Sequence, residues 1–278
     1  MAAEQLPSFE QPPVVETVLG IQFKPLSGFC NAHLGAFWKH LGRDWCKLLG
    51  KDWTLLSDAP TLEPTLERFE GSEAWAPLRS GFRLTADPSA RLQIRSATDD
   101  AMIQLQNGRL HYNWLGTRGG DYSRYKSVRP RFDELLRGFT GFVSTEALGK
   151  LVPNQWEITY VNHMLKGSVW STPSDWPSLL VGLPGVWAEP SAVRLESFGG
   201  AWHFQMEPQR GRLHAEIRHA RAGSAEGPEV LRLTLTARGP ASDERGVRQG
   251  LDLGHEVIVK TFKEITSAKA HEYWRLRT

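Results

Sequence analysis

Apolar and polar residues alternate from Val14 to Phe23, in the stretch VVETVLGIQF. Because neighbouring side chains of a β-strand point to opposite faces, Leu19 and Ile21 are predicted to share an apolar face, with Glu16 on the other, semi-polar face. The pattern therefore predicts a strand with one side against a core and the other side toward solvent or a ligand. We expect an arginine of a neighbouring strand to hold the Glu16 carboxylate.

The same alternation returns along most of the chain. It predicts further strands, separated by turn residues such as Asn107-Gly108, at residues 81–86, 90–97, 101–116, 154–164, 192–198, 201–207, 211–220 and 229–238. Apolar residues spaced three and four apart instead predict helices at 31–49, at 127–143 and in a long segment capped by Ser242. A short helix after Ser174 is also expected.

The order of these elements repeats, since each half contains a strand, a helix, an antiparallel meander and a long helix. The sequence therefore predicts an α+β fold of two similar α+β halves, residues 1–150 and 151–278, that form one compact unit with antiparallel sheets and helices on one face. The opposite face then carries a polar set: Glu16, Gln22, Gln93, Arg95, Gln104, Gln106, His111, Asn113, Glu157, His163, Arg194, His214, Glu216, Arg218 and Arg232.

Composition changes this picture little. The chain has 278 residues and a net charge of +2, which is too mild to indicate a nucleic-acid-binding protein by itself. No run approaches the roughly 20 apolar residues that a membrane helix needs, and the first residues lack a secretion signal, so we expect a cytoplasmic protein with no membrane partner. Cys30 and Cys46 have no metal or redox spacing and are expected to be buried free thiols.

Residues 117–131, TRGGDYSRYKSVRPR, combine a local charge of +4 with two tyrosines. Bases interleaved with aromatic residues favour phosphate contacts and base stacking, so this basic loop is a candidate site for nucleic acid or a partner. Its candidate residues are Arg118, Tyr122, Arg124, Tyr125, Lys126, Arg129 and Arg131, joined by Arg95, His111, Asn113, Arg218 and Arg232 of the predicted polar face. The alternative is that the tyrosines tuck under the loop and the bases line the following helix.

Residues 168–190 contain prolines between Trp170, Trp176 and Trp187. Prolines stiffen a loop, so these tryptophans are candidates for contact with a protein partner. The alternative is that they seal one edge of the sheet as a small additional core.

Catalytic motifs are absent from the sequence: it contains no phosphate loop, dinucleotide fingerprint, nucleophile elbow or zinc-protease spacing. His214 and Glu216 are close enough in sequence to bind a metal together with His163 or Glu157, and Glu16 with Glu157 would form a carboxylate pair if their strands were neighbours. No metal or other cofactor is expected.

Four segments in order, PPVVETVLGIQF, NWLGTRGGDYSRYKSVRPRFDELLRGF, WEITYVNHM and AHEYWRL, resemble a sporadically distributed family of uncharacterised bacterial proteins with an N-terminal PPVVE-type motif. The matching positions are Glu16, Asn113, Trp114, Tyr122, Tyr125, Phe132, Tyr160, Asn162 and Trp274. The resemblance spans essentially the whole chain and implies no activity, substrate or cofactor. Sporadic occurrence is typical of mobile accessory genes, and by analogy it suggests bacterial defence or a toxin–antitoxin system. The order of elements is also loosely similar to the TATA-binding protein saddle.

These observations favour a non-enzymatic recognition or accessory protein that binds nucleic acid or a protein from a neighbouring gene. The binding surface would be the polar sheet face with the adjacent basic loop. The alternative is a metal-assisted hydrolase of phosphate esters that uses Glu16, Glu157, His163 and His214. The sequence does not indicate an oligomeric state.

Overall fold

The computed structural model describes residues 6–41, 53–60, 62, 90–116, 122–182, 195–206 and 210–277. The predicted strand at 81–86 and the last part of the predicted helix at 31–49 lie outside these residues. So do Cys46, Arg118, Trp187 and Arg194.

The described strands form two antiparallel sheets. They are β1 (Ser8–Phe9), β2 (Val14–Phe23), β3 (Trp53–Ala59), β4 (Arg91–Ser96), β5 (Ala101–Gln106), β6 (Arg109–Leu115), β7 (Pro153–Leu165), β8 (Gly200–Met206), β9 (Gly211–Arg221), β10 (Glu229–Pro240) and β11 (Leu276–Arg277). The large sheet has the order β3-β4-β5-β6-β2-β7-β10-β9-β8, and β1 pairs with β11. Helices cover a face of the sheet, so the predicted α+β class is confirmed.

The two halves meet in the middle of the large sheet. Strands β3-β4-β5-β6-β2 come from the first half, and β7-β10-β9-β8 come from the second. Strands β2 and β7 pair antiparallel, with Thr17 opposite Tyr160, and we call this pair the central seam. The sheet is therefore continuous from one half to the other.

The described helices are α1 (Ala32–His40), α2 (Tyr125–Thr145), α3 (Trp176–Leu179), α4 (Glu244–Ile265) and α5 (Ala268–Tyr273), with a 3₁₀ turn at Pro173–Asp175. Helix α2 packs on β6 and β2, and α4 packs on β7 and β10. The cap of α4 is Asp243, whose carboxylate accepts a hydrogen bond from Gly246 N at 2.7 Å, so the predicted Ser242 cap was wrong by one residue.

Two glycines allow α4 to approach β7 closely. A Cβ atom at Gly250 would lie 2.2 Å from the indole of Trp156, and one at Gly254 would lie 2.5 Å from Ile158 Cγ2. Glycine in a helix interior is less favourable than alanine by about 1 kcal/mol, and here the buried Trp156 ring occupies the space that the missing side chains leave. The contact fixes α4 on the apolar face of β7, whose opposite face carries Glu157.

Candidate functional site

A row of polar residues crosses the whole large sheet on the face opposite α2 and α4. From β3 to β8, the directly opposed positions are Ser57, Gln93, Gln104, His111, Gly20, Glu157, Arg238, Arg212 and Gln205. Each strand contributes one residue because the registers align the polar positions of the alternating pattern. We call this line the polar row.

Gly20 lies at the centre of the polar row, and the imidazole of His111 lies over it. A Cβ atom at Gly20 would come within 2.2 Å of His111 Cδ2. The missing side chain lets His111 of β6 extend across β2 toward β7, where its Nε2 lies 3.6 Å from Oε1 of Glu157. Glycine at this position therefore permits a histidine–carboxylate contact between strands that are not neighbours.

The carboxylate of Glu157 accepts a hydrogen bond from Nε of Arg238, which faces it on β10. Burial raises the pKa of Glu157, but Arg238, His111 and Arg109 outweigh this effect and lower the pKa to about 2. Burial lowers the pKa of His111 to about 4, despite the nearby Glu157. Near neutral pH the centre of the polar row therefore holds an ionised carboxylate, a neutral imidazole and a guanidinium group.

Glu16 has a different partner from the one predicted. Its Oε1 accepts a hydrogen bond from Nδ2 of Asn113 at 2.6 Å, and Asn113 in turn accepts from Gln104 Nε2 at 3.0 Å. Among the described residues, a guanidinium group enters this series of hydrogen bonds only at its far end, where Arg91 donates to Gln104 at 3.1 Å. The predicted arginine partner was wrong for Glu16, because the amide of Asn113 reaches its carboxylate first.

The middle of the polar face is buried. Its buried members, which we call the buried polar patch, are Gln22, Gln104, Gln106, Arg109, His111, Asn113, Gln155 and Glu157. The sequence predicts a face open to solvent or a ligand, and this prediction is wrong for these residues. At one side of the patch the backbone of Leu62 binds the amide of Gln106: Leu62 N donates to Gln106 Oε1 at 2.9 Å, and Gln106 Nε2 donates to Leu62 O at 2.8 Å.

The polar face remains accessible over β7, β10, β9 and β8. Its half-buried and exposed members, which we call the exposed polar patch, are His163, His203, Gln205, Arg212, His214, Glu216, Arg218 and Arg232. Arg218 and Glu216 form an ion pair with Nε–Oε1 at 2.6 Å and side chains 68% and 40% exposed. Burial and the nearby Arg232 lower the pKa of His163. The patch contains three arginines and one acid, so it is basic.

The described residues of the basic loop have partners within the chain. Arg124 donates to Ser8 Oγ at 2.8 Å and to the Phe9 carbonyl at 3.0 Å. The ring of Tyr125 stacks on His255 at 4.0 Å, and its hydroxyl donates to Asp252 at 2.6 Å.

The remaining bases of this loop follow the same trend. Arg129 forms ion pairs with Asp133 and Asp252, and Arg131 opposes the rise in the pKa of Tyr112 that burial causes. Tyr122 packs edge-on against Trp114, whereas Lys126 is exposed. These contacts favour the alternative, in which the tyrosines tuck under the loop and the bases line the following helix.

Trp170 and Trp176 belong to the core. Both are buried, their rings pack edge-to-face at 5.5 Å, and Trp170 Nε1 donates to the Met164 carbonyl at 2.7 Å. His219 packs against both rings. The two tryptophans are therefore part of the hydrophobic core itself, neither a separate small core nor a partner-binding surface.

The four residues of the alternative hydrolase site do not converge. Glu16 faces Val161 and Glu157 faces Gly20, so four positions along the seam, about 13 Å, separate the two acids. His163 of β7 faces Arg232 on β10, whereas His214 of β9 faces Thr236 on β10. The two histidines therefore lie on either side of β10 and four positions apart along it. Among the described residues, no three histidines, cysteines or acids are grouped as a metal site.

Sequence analysis missed several residues of this face. Arg109 and Arg238 alternate with the predicted polar residues of their strands, and this alternation would have been enough to identify them. His203 is opposite His214, and only the register of β8 on β9 reveals that pairing. Cys30 is exposed instead of buried, with its Sγ 3.2 Å from Nδ1 of His33.

Comparison of the chain with protein-family models and with curated proteins found no match. Within the part of the chain that the structure describes, the helices lack the combination of length and apolar character that a membrane span requires.

Proposed function

We propose that this protein is a non-enzymatic recognition protein that binds nucleic acid through the exposed polar patch. The observation that carries this proposal is the basic character of that patch on an open, regular sheet surface. Arg212, Arg218 and Arg232 outnumber the single acid Glu216 there, and His163, His203 and His214 add donors and acceptors. Arginine and histidine side chains of this kind suit contacts with phosphate oxygens.

The regular spacing of the patch also supports an extended polymeric ligand. Side chains on one face of a strand repeat about every 6.6 Å, and neighbouring strands lie about 4.8 Å apart. Arg212, His214, Glu216 and Arg218 follow one another on β9 in this way. In this row Glu216 is paired with Arg218, and the excess of arginine and histidine over this one acid matches a row of phosphates better than a single small anion.

The buried polar patch lies next to the exposed polar patch on the same face of the sheet. Arg238 is the link, since it faces Arg212 of the exposed patch and donates to Glu157 of the buried patch. Side chains held by such a network lose less conformational entropy on binding than freely moving ones. The proposed role of the buried patch is thus to fix the sheet, and the exposed patch makes the contacts.

The test is fluorescence anisotropy with a short labelled duplex DNA and a matched single-stranded RNA, across a series of salt concentrations. A double variant Arg218→Ala/Arg232→Ala removes two cations from the patch. Each lost contact with duplex phosphate lowers the salt slope of log K by about 0.9, so the double variant should lower it by about 1.8.

Arg245→Ala is the matched control, because Arg245 is exposed on α4, on the opposite side of the sheet. This variant should bind as the wild type does. Binding that does not depend on salt, or a double variant that binds like Arg245→Ala, would remove nucleic acid as the ligand.

A protein partner is the second candidate, and the observation that favours it is the edge of the sheet. Strand β8 is terminal among the described strands, and Phe204 on it is 47% exposed. Edge strands can accept a strand from another chain. Co-purification of a protein from a neighbouring gene, lost in Phe204→Lys, would favour this candidate, and the family resemblance would place it in a defence or toxin–antitoxin setting.

A further inference from the structure

Two histidines of neighbouring strands touch on the exposed polar patch. His203 of β8 lies directly opposite His214 of β9. Their Nδ1 atoms are 2.6 Å apart, and their rings meet edge-to-face with centroids 4.9 Å apart. The two imidazoles therefore share a hydrogen bond that brings the same ring nitrogen of both side chains together.

From this geometry we propose that His203 and His214 form a binding site for a divalent transition metal ion such as Zn²⁺ or Ni²⁺. Neutral imidazole is a common ligand of these ions. Tetrahedral zinc with Zn–N bonds of about 2.0–2.1 Å places two ligand nitrogens about 3.4 Å apart. The two Nδ1 atoms need to separate by less than 1 Å, about the change that small side-chain rotations produce.

The backbone favours this site because both ligands lie on paired strands. Paired strands hold directly opposed Cα atoms about 4.5–5.5 Å apart, so forming the site requires ordering of side chains alone. Glu216 is two positions from His214 on the same face, but its carboxylate is paired with Arg218, so we do not count it as a ligand. The two imidazoles would hold the ion, and water would fill its remaining positions.

The metal site shares the exposed polar patch with the proposed function, but its ligands are different residues from Arg218 and Arg232, so the two proposals are tested separately. The anisotropy measurement is made with a chelator, and the metal measurement is made without nucleic acid. A negative result in the anisotropy measurement therefore does not affect the metal titration, and a negative metal titration does not affect the anisotropy measurement.

The experiment is isothermal titration of the full chain, purified without a polyhistidine tag, with NiCl₂ or ZnCl₂ alone. We expect one ion per chain. Loss of an outer-shell group already weakens metal sites about 10–100-fold, so loss of one of two protein ligands in His203→Ala or His214→Ala should weaken binding by at least about 100-fold.

His163→Ala is the matched control, because it removes a histidine of the same patch that faces Arg232 instead of another imidazole. It should bind the ion like the wild type. His203→Gln replaces the imidazole by a polar side chain, and circular dichroism shows whether each variant is folded. Absence of binding by the wild type, equal weakening in His163→Ala, or unchanged binding in His203→Ala and His203→Gln would each overturn the proposal.

Discussion

The buried polar patch and the exposed polar patch lie on the same face of one sheet, yet their polar side chains differ in solvent exposure and in their partners. In the buried patch, Glu157 is only 5% exposed and His111 is 4% exposed, the Glu157 carboxylate is paired with Arg238, and an amide hydrogen bond joins Gln104 to Asn113. In the exposed patch, the ion pair between Arg218 and Glu216 is in contact with solvent. The same alternation of residues produced both patches.

The difference shows that polarity along a strand does not decide what a surface does. Ionised groups that are out of water must be matched by partners, because unpaired buried charge is strongly unfavourable. Ionised groups in water gain little from pairing with each other and remain available to an external ligand. We therefore assign a structural role to the buried patch and a binding role to the exposed patch.

The largest expected effect comes from removing Arg238. The Arg238→Ala variant leaves the Glu157 carboxylate buried without its closest cation, and breaking a buried pair in this way destabilises proteins by about 3–5 kcal/mol. Urea unfolding followed by circular dichroism measures the change. Arg218→Ala is the control, because it removes an arginine from the exposed ion pair with Glu216. It should lower the unfolding free energy by at most about 1 kcal/mol. Similar losses in the two variants would contradict the distinction between the patches.

Gly20→Ala should have the second-largest effect. The added methyl group would overlap the imidazole of His111 and push it away from Glu157, and overpacking of this kind destabilises by about 1–3 kcal/mol. Gly141→Ala in α2 is the matched control, since its Cβ meets no atom within 4 Å. In a helix that control should be neutral or stabilising by up to about 1 kcal/mol. If Gly20→Ala unfolds at the same urea concentration as the wild type, the missing side chain of Gly20 is not needed to make room for His111.

The smallest effect is a pH dependence caused by His111. Its folded-state pKa of about 4 lies below its unfolded value near 6.5, so the unfolded chain binds more protons in this range and stability falls as the pH falls. Between about pH 7 and about pH 5.5 this group alone should reduce the unfolding free energy by about 1 kcal/mol. His255 has the same lowered pKa and contributes in the same direction, so the comparison must be made between the wild type and His111→Gln.

Between about pH 7 and about pH 5.5, the unfolding free energy of His111→Gln should fall by about 1 kcal/mol less than that of the wild type. The carboxyl of Glu157 adds a further loss only at lower pH, since its folded-state pKa of about 2 lies below its unfolded value and its contribution disappears as the pH falls between the two. Parallel pH profiles for the wild type and His111→Gln would show that His111 does not titrate in this way.

The alternating pattern was sufficient to predict the class of the fold, because the strand period is two and each apolar face had to be covered. It placed Glu16 and Glu157 on one face, and the structure puts them there on neighbouring strands. It was insufficient for burial, because β6 and β9 alternate in the same way, yet His111 and Asn113 of β6 are buried whereas Arg218 of β9 is exposed.

The basic loop shows a second limit of sequence reasoning. Tyr125 and Arg129 find their partners in Asp252 and His255, which belong to the other half of the chain. Local composition cannot reveal partners that only the packing of α2 beside α4 brings near. The pairing of His203 with His214 has the same cause, since a shift of one residue in register would place His203 on the opposite face.

The central seam also determines when this sheet can be completed during synthesis. Gly20 leaves the ribosome early, but its neighbour Glu157 follows only after the whole first half, and Glu157 in turn awaits Arg238 near the other end. Contacts between such distant positions make folding slow. Until β7 has been synthesised, the edge of β2 therefore lacks its partner on that side, and the contact between Glu157 and Arg238 can form only after β10 has followed.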